Sequence, residues 1–393
     1  MALPLAGVTV VSLEQAVAAP FATRQLADLG ARVIKIERPG TGDFARGYDR
    51  TVKGLSSYFV WLNRSKESVT LDLTRLEARR VLADLLDRAD VFVQNLAPGA
   101  AERLGVGAAA LRARRPRLIA CSISGYGSTG PFRDRKAYDL LVQGETGLVS
   151  ITGDAESPAK VGISIADIAA GMYAYSGILT ALLQRERTGA GAHVDVSLFD
   201  ALGEWMSQPA YVAEYSGRAP GRHGVRHASI APYGAFASAD GTPVLLGIQN
   251  EREWTRFCAD VLGTPDLARD PRFASNPDRV ANRDALEAIV ETALRTLTAA
   301  AMVERLERAG IACARLNGVA GFLAHPQLVE RDRWRDVDTP AGRVRALCPP
   351  VVLDDGEPRM DPVPALGAHT DRVLSEIGFD GATISRWRNE GMI

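Results

Sequence analysis

A regular alternation of short β-branched runs with amphipathic stretches fills the first 125 residues and limits what this chain can fold into. Val8–Leu13 reads as a buried strand, and a helix follows with Pro20 near its first turn and Gly30 just past its end. Arg32–Ile36 is the next strand, and Thr74 N-caps a helix running to about Asp87. Val91–Gln94 is a short strand, a basic helix lies near Ala108–Arg115, and Leu118–Ser122 is again a strand. Strands spaced by helices of this length build right-handed βαβ units around a parallel sheet. The fold class is α/β.

Ile168–Leu183 follows as a helix that is hydrophobic nearly all round, which predicts burial. At that length it is too short to span a bilayer, and no apolar run approaches the roughly 20 residues a membrane helix needs. His193–Leu198 alternates as a strand after the Thr188–Gly191 turn. The stretch 217–232 is loop-like, with Gly217, Pro220, Gly221, Gly224 and Pro232. A smaller unit is expected over roughly 226–325, and a proline-rich tail then closes with a polar helix.

The 393 residues suffice for two or three domains. With 46 Lys+Arg against 47 Asp+Glu the net charge is −1, which excludes a general nucleic-acid binder. Cys121, Cys258, Cys313 and Cys348 are far apart and form no metal-ligand spacing, so they read as reduced thiols. The amino terminus has no positively charged stretch, and Glu14-Gln15 interrupt its apolar run, so it is not read as a secretory signal. A cytoplasmic protein with no membrane partner is expected. Only five of the basic residues are lysines, which makes Lys136 conspicuous.

Three segments invite chemistry. Gly125-Tyr-Gly127-Ser-Thr-Gly130 matches GxGxxG after a strand, but Pro131 and a charged run follow where a dinucleotide fingerprint needs a helix. A glycine-rich surface turn is the simpler reading. Gly162-Ile-Ser164-Ile-Ala166 resembles a nucleophile elbow, with Asp200 and His369 downstream in hydrolase order. Asp167 sits between an apolar segment and the apolar helix. Read locally, it is an N-cap that bonds the first free amides. The same setting suits a carboxylate nucleophile, because helix amides keep it ionised while apolar walls exclude water. Ligands of open α/β sheets bind beyond the strands' carboxyl ends, which here carry Glu14–Ala18, Arg38, Asn95–Ala97 and Ser124–Gly127. A cation, an amide and open backbone on one edge suit a nucleotide with phosphates.

At these residues the chain resembles the class III CoA-transferases, the formyl-CoA transferase and carnitine CoA-transferase family. The likeness runs nearly end to end. It includes PLAGVTVVSLEQAVAAPFATRQLADLGARVIKIERPGTGDFAR, the stretch N-R-S-K-x-S-V-T-L-D-L, VFVQNLAPGAAERLG, SISGYGSTGP, KAYDLLVQGETGL, ADIAAGMYAYSGILTALLQRERTGAG and PALGAHTDRVLSEIG, in that order. The resemblance implies a Rossmann-like large domain from 1–225 and 326–393, a smaller α/β domain at 226–325, and an interlocked, ring-like homodimer. It places the family's nucleophilic aspartate on Asp167. It places CoA contacts at Val17, Ala18, Arg38, Leu71, Asp72, Leu73, Thr74, Asn95, Leu96, Ala97, Arg103, Lys136, Ala137, Tyr138 and Asp139. Val17 stands where some members have glutamine, and Ser124 where some have lysine.

The implied partners are CoA thioesters and small carboxylic acids, with no metal and no cofactor beyond coenzyme A as substrate. The stretch RHGVRHASIAPYGAF is closer to the succinate–hydroxymethylglutarate branch than to the formyl-CoA branch. Its Arg226, His227 and Ser229, with Arg46 and Tyr48, are candidates to bind the distal carboxylate of a dicarboxylic acid, although a solvated basic turn explains the loop equally well. The expected reaction moves CoA from succinyl-CoA to a C4–C5 dicarboxylate such as itaconate, mesaconate, citramalate or malate, and monocarboxylates are the alternative. Related α-methylacyl-CoA racemases use a histidine where this chain has Tyr138, which disfavours that chemistry.

Overall fold

The computed structural model describes residues 2–354 and 356–393. It divides into two compact units, the first made of Met1–Leu148, Val161–Gln208 and Val329–Ile393, the second of Val149–Lys160 and Pro209–Leu328.

The first unit is built on six parallel strands: β1 (Thr9–Leu13), β2 (Arg32–Glu37), β3 (Lys66–Thr70), β4 (Val91–Gln94), β5 (Ile119–Ser124) and β6 (His193–Ser197), in the order β3-β2-β1-β4-β5-β6. Successive side chains alternate faces, and both faces are apolar, as a sheet covered by helices on each side requires. Val10, Val33, Val91 and Ile119 pack with the helices Ala18–Asp28 and Ile165–Thr188. Val11, Ile34, Val69 and Phe92 pack with the helix Leu76–Leu86 and with Val373, Leu374, Ile384 and Trp387 from the tail. The tail's helices Thr370–Glu376 and Gly381–Asn389 thus complete the sheet's second layer.

Three local expectations need correcting. The sequence reading leaves 66–70 without an element, yet β3 lies there with all five residues buried. The helix after it starts at Leu76, and its N-cap position is Arg75 rather than Thr74. Thr74 instead directs its N–H and hydroxyl to the Asp72 carboxylate, at 3.1 and 2.6 Å. The long apolar helix runs over Ile165–Thr188, 24 residues, which is enough by length and composition to cross a membrane. Nor is it buried all round. Ala166, Ala169, Ala170, Gly171, Ala174 and Ile178 face the core, whereas Met172, Tyr173 and Leu183 are exposed.

The second unit carries an antiparallel sheet of β7 (Tyr233–Phe236), β8 (Val244–Gly247) and β9 (Ala312–Arg315), in that order. Its core gathers Trp254, Phe257, Phe273, Leu286, Val290, Met302 and Leu306. The glycine- and proline-rich loop 217–232 lies within this unit.

Candidate active site

In a parallel sheet of this order, the chain leaves β1 and β4 in opposite directions, opening a crevice at their carboxyl ends. The structure clasps the two loops together there. The Gln15 N–H donates to Asn95 Oδ1, and Asn95 Nδ2 donates to the Gln15 carbonyl, both at 2.9 Å. Between them the chain turns at Ala16, a non-glycine residue in the left-handed region with φ of 60°. Its N–H donates to Asp43 Oδ1 at 3.0 Å. Val17 and Ala18 follow, both buried at the start of the helix Ala18–Asp28.

The other residues singled out for CoA also follow strands of this sheet. Arg38 follows β2, the segment Leu71–Thr74 follows β3, Leu96, Ala97 and Arg103 follow β4, and Lys136–Asp139 follow β5. Arg38, Arg103 and Lys136 are exposed, and none of these three side chains has an ion-pair partner among the described residues. Uncommitted cations on one edge are what a polyphosphate requires. Leu71–Thr74 is braced from two sides. The Leu71 N–H donates to the Glu37 carbonyl at 2.9 Å and the Asp72 N–H to the Met392 carbonyl at 2.8 Å.

Asp167 occupies the first turn of the helix Ile165–Thr188, but it does not cap it. The N-cap position is Ser164, and the free Ala166 N–H is taken by the Asp139 carboxylate at 2.8 Å. Gln143 Nε2 holds the other Asp139 oxygen at 2.7 Å, and its own Oε1 accepts the Val161 N–H at 2.9 Å. The Asp167 carboxyl therefore accepts no hydrogen bond from any described residue. Desolvation, with the Asp139 charge adding to it, pushes its pKa up to about 7. The helix amide that could have offset this, the Ala166 N–H, is spent on Asp139.

Glycine sets where this carboxyl sits. A Cβ on Gly171, one turn along from Asp167, would lie 2.7 Å from the Ala18 carbonyl oxygen and 3.0 Å from the Phe21 ring. Only glycine lets the two helices approach this closely, which brings the Asp167 end beside the Gln15–Ala18 loop. Gly125 makes a similar approach, since a Cβ there would meet Ala137 Cβ at 2.2 Å.

Aromatic side chains line the same region. Tyr48 packs on Phe44 at 5.9 Å and on Tyr58 at 5.6 Å, and Trp61 continues the series to Phe21. Tyr48 is pushed up to about 12 by burial, then by the charges of Asp43 and Asp167, which puts it within electrostatic reach of that carboxyl. Arg46 does not join it as a free donor. Its guanidinium is committed to both Glu37 oxygens, at 2.8 and 2.7 Å, and to the Pro364 carbonyl. Burial alone would raise Glu37, but the bonds from Arg46 and the nearby Lys35 charge hold it at about 2. Arg46 braces the Tyr48 segment.

Arg226, His227 and Ser229 belong to the second unit. Arg226 pairs with Glu287 at 2.6 Å, and His227 stacks on Tyr233 while its Nδ1 accepts the Ser229 N–H. Arg283 ties the loop down through the carbonyls of His227 and Ile230. Elsewhere the hydrolase arrangement is not assembled. Among the described residues no strand leads directly into Ser164, Asp200 accepts the Ser197 hydroxyl at 2.6 Å, and His369 Nδ1 accepts the Ser68 N–H. The 125–130 glycines lie in turns, and the next helix begins only at Asp139.

Sequence reasoning missed a buried ion cluster beneath the β1 loop. Lys66 Nζ donates to Glu14 at 2.7 Å, and Lys35 Nζ to Asp43 at 2.6 Å and to Asn63 at 3.0 Å. The four charged side chains are wholly shielded from solvent. The usable signal was the scarcity of lysine: two of the five are these.

The family model described as CoA-transferase family III matches residues 5–370. An acetyl-CoA:oxalate CoA-transferase of Acetobacter aceti is 40% identical over 84% of this chain and 85% of its own. A succinyl-CoA:glutarate CoA-transferase of Mus musculus is 33% identical over 99% of this chain and 90% of its own. A crystal structure of a CAIB/BAIF family protein from Brucella suis superposes with a TM-score of 0.83 and 34% identity, covering 96% of this chain and 100% of that one. A match over nearly the whole length, on a crevice of this build, leaves one conclusion: the chain belongs to CoA-transferase family III and is an enzyme of the CoA-transferase class.

Proposed function

We propose that the enzyme moves CoA from succinyl-CoA to a C4–C5 dicarboxylate, with Asp167 carrying the acyl group. The observation that carries this reading is a half-buried carboxyl without a hydrogen bond, at a helix start beside the sheet's crevice. A carboxylate oxygen of Asp167 attacks the donor's thioester carbonyl, the C–S bond breaks, and CoA leaves as thiolate from a mixed anhydride. The thiolate then attacks the aspartyl carbonyl, which releases the donor as its carboxylate and leaves an aspartyl-CoA thioester. The acceptor carboxylate attacks that thioester, and the freed thiolate takes the acceptor acyl group, which regenerates Asp167. Desolvation around the carboxyl protects both acyl intermediates from water.

Relatives named for oxalate and for glutarate both support a dicarboxylic acceptor, and the mouse relative supports succinyl-CoA as donor. Arg226 supports it too, because Glu287 is shared between it and Arg283, which leaves one positive charge over. Purified enzyme given succinyl-CoA and a panel of acids is expected to turn over C4–C5 dicarboxylates at least tenfold faster than acids lacking the second carboxylate. Faster turnover of carnitine or an aromatic acid would sink the dicarboxylate assignment.

A homodimer is part of the same reading, supported by Met172, Tyr173 and Leu183, which stand exposed along the apolar helix. Sedimentation is expected at twice the 42.1 kDa chain mass, and a species at that single mass would count against it.

A further inference from the structure

Burying four charges is costly unless each is paired and hydrogen-bonded, and even then a core of apolar side chains is often as stable. The Glu14, Lys35, Asp43 and Lys66 cluster therefore asks for a reason other than stability. Its bonds point to one. Each member holds a piece of backbone or side chain at the β1 loop. Lys66 Nζ donates to Glu14 and to the Pro20 carbonyl at 3.0 Å. Glu14 also accepts the Thr23 hydroxyl at 2.6 Å. Lys35 fixes Asp43 through Oδ2, which leaves Oδ1 for the N–H groups of Ala16 and Ala45, at 3.0 and 2.9 Å.

The link that matters is Asp43 to Ala16. An alanine at φ of 60° sits where L-residues are disfavoured and persists only when its surroundings hold it. Its neighbours on the chain are Gln15, clasped by Asn95, and Val17-Ala18, against which the Asp167 helix closes at Gly171. The conformation of Ala16 therefore sets the wall beside the Asp167 carboxyl.

We infer that this cluster is a positioning device for acyl transfer, acting through Asp43 on the left-handed turn at Ala16. The inference rests on Asp167 as the acylated group. Asp43 and Lys35 are positioning residues, since neither reaches the crevice: both are fully buried under the loop.

The test removes the anchor without leaving a lone buried charge. Lys35→Met with Asp43→Ala keeps the Glu14–Lys66 pair and the charge balance. In the full-length enzyme, with succinyl-CoA and the best acid of the panel, kcat is expected to fall about 10- to 100-fold, the order that a misplacement of about 1 Å costs. KM for succinyl-CoA should stay within about threefold, because Leu71–Thr74, Leu96, Ala97, Arg103 and Lys136–Asp139 follow other strands, and of the CoA contacts only Val17 and Ala18 adjoin Ala16. Adding Ala16→Gly should return at least half of the loss on a logarithmic scale, since glycine enters the left-handed region without an anchor. A purely structural role predicts no such rescue.

A kcat within twofold of wild type, a loss expressed in KM, or a loss that Ala16→Gly leaves unchanged overturns the proposal. If the paired variant does not fold, Asp43→Asn keeps the side chain's size and acceptor while removing its charge. Its expected kcat loss is about three- to tenfold, with the same rescue and the same overturning results. Asp167→Ala assayed beside these separates the two ideas. An active Asp167→Ala enzyme defeats the nucleophile reading, whereas a fully active charge-pair variant defeats only the cluster's role.

Discussion

Asp167→Ala is expected to lower kcat/KM at least about 1,000-fold and to abolish any adduct on the peptide that carries residue 167. The neighbouring Asp139 is not free to substitute, because it is held by the Ala166 N–H and by Gln143. The wild-type pH profile should carry the mark of the same side chain. The attacking form is the carboxylate, and burial with the Asp139 charge pushes its pKa up to about 7. Below that pH the free enzyme holds Asp167 protonated, so kcat/KM should rise tenfold per unit and level off above about 7. Asp139→Asn removes the like charge and should move this limb to lower pH. Activity that survives in Asp167→Ala, or a profile flat between pH 5.5 and 8.5, would show that another group does the chemistry.

That pH behaviour is the opposite of what a local reading of the helix start suggests, and the reason is general to this chain. Where a segment's partners lie nearby in sequence or are simply apolar, the sequence was legible. Val10, Val33, Val91 and Ile119 mark strands of the sheet, and the Gly30 turn ends the first helix where expected. The edge bearing Glu14–Ala18, Arg38 and Asn95–Ala97 follows from the strand order. Where long-range bonds decide, the reading failed. Lys66 and Glu67 hide β3 because charged residues do not announce a buried strand, and their partners Glu14 and Arg32 are 52 and 35 residues away. The Ala166 amide is claimed by Asp139 from 27 residues away, which no local capping rule anticipates. Lys136 drew notice as a rare lysine, while the equally rare Lys35 and Lys66 are the ones built into the core.

Gly171→Val is expected to destabilise the protein by about 3 kcal/mol and to lower kcat about 100-fold. Two effects of opposite sign meet at this position. Glycine inside a helix costs about 1 kcal/mol relative to alanine, so a side chain should help. Against that, the first added carbon would lie 2.7 Å from the Ala18 carbonyl oxygen, a backbone atom that cannot swing aside. Valine adds two further methyls toward the Phe21 ring, so overpacking outweighs the helix gain. Relief requires the helix Ile165–Thr188 to back away from the helix Ala18–Asp28, which carries Asp167 from the crevice with it. Gly203→Ala is the matched control. Gly203 also lies within a helix, Leu198–Trp205, but nothing stands within 4 Å of its added carbon, so that change should stabilise by about 0.5–1 kcal/mol. Chemical denaturation and steady-state rates on both variants separate the cases. A Gly171→Val enzyme as stable and as fast as wild type would mean that the helix contact does not position Asp167.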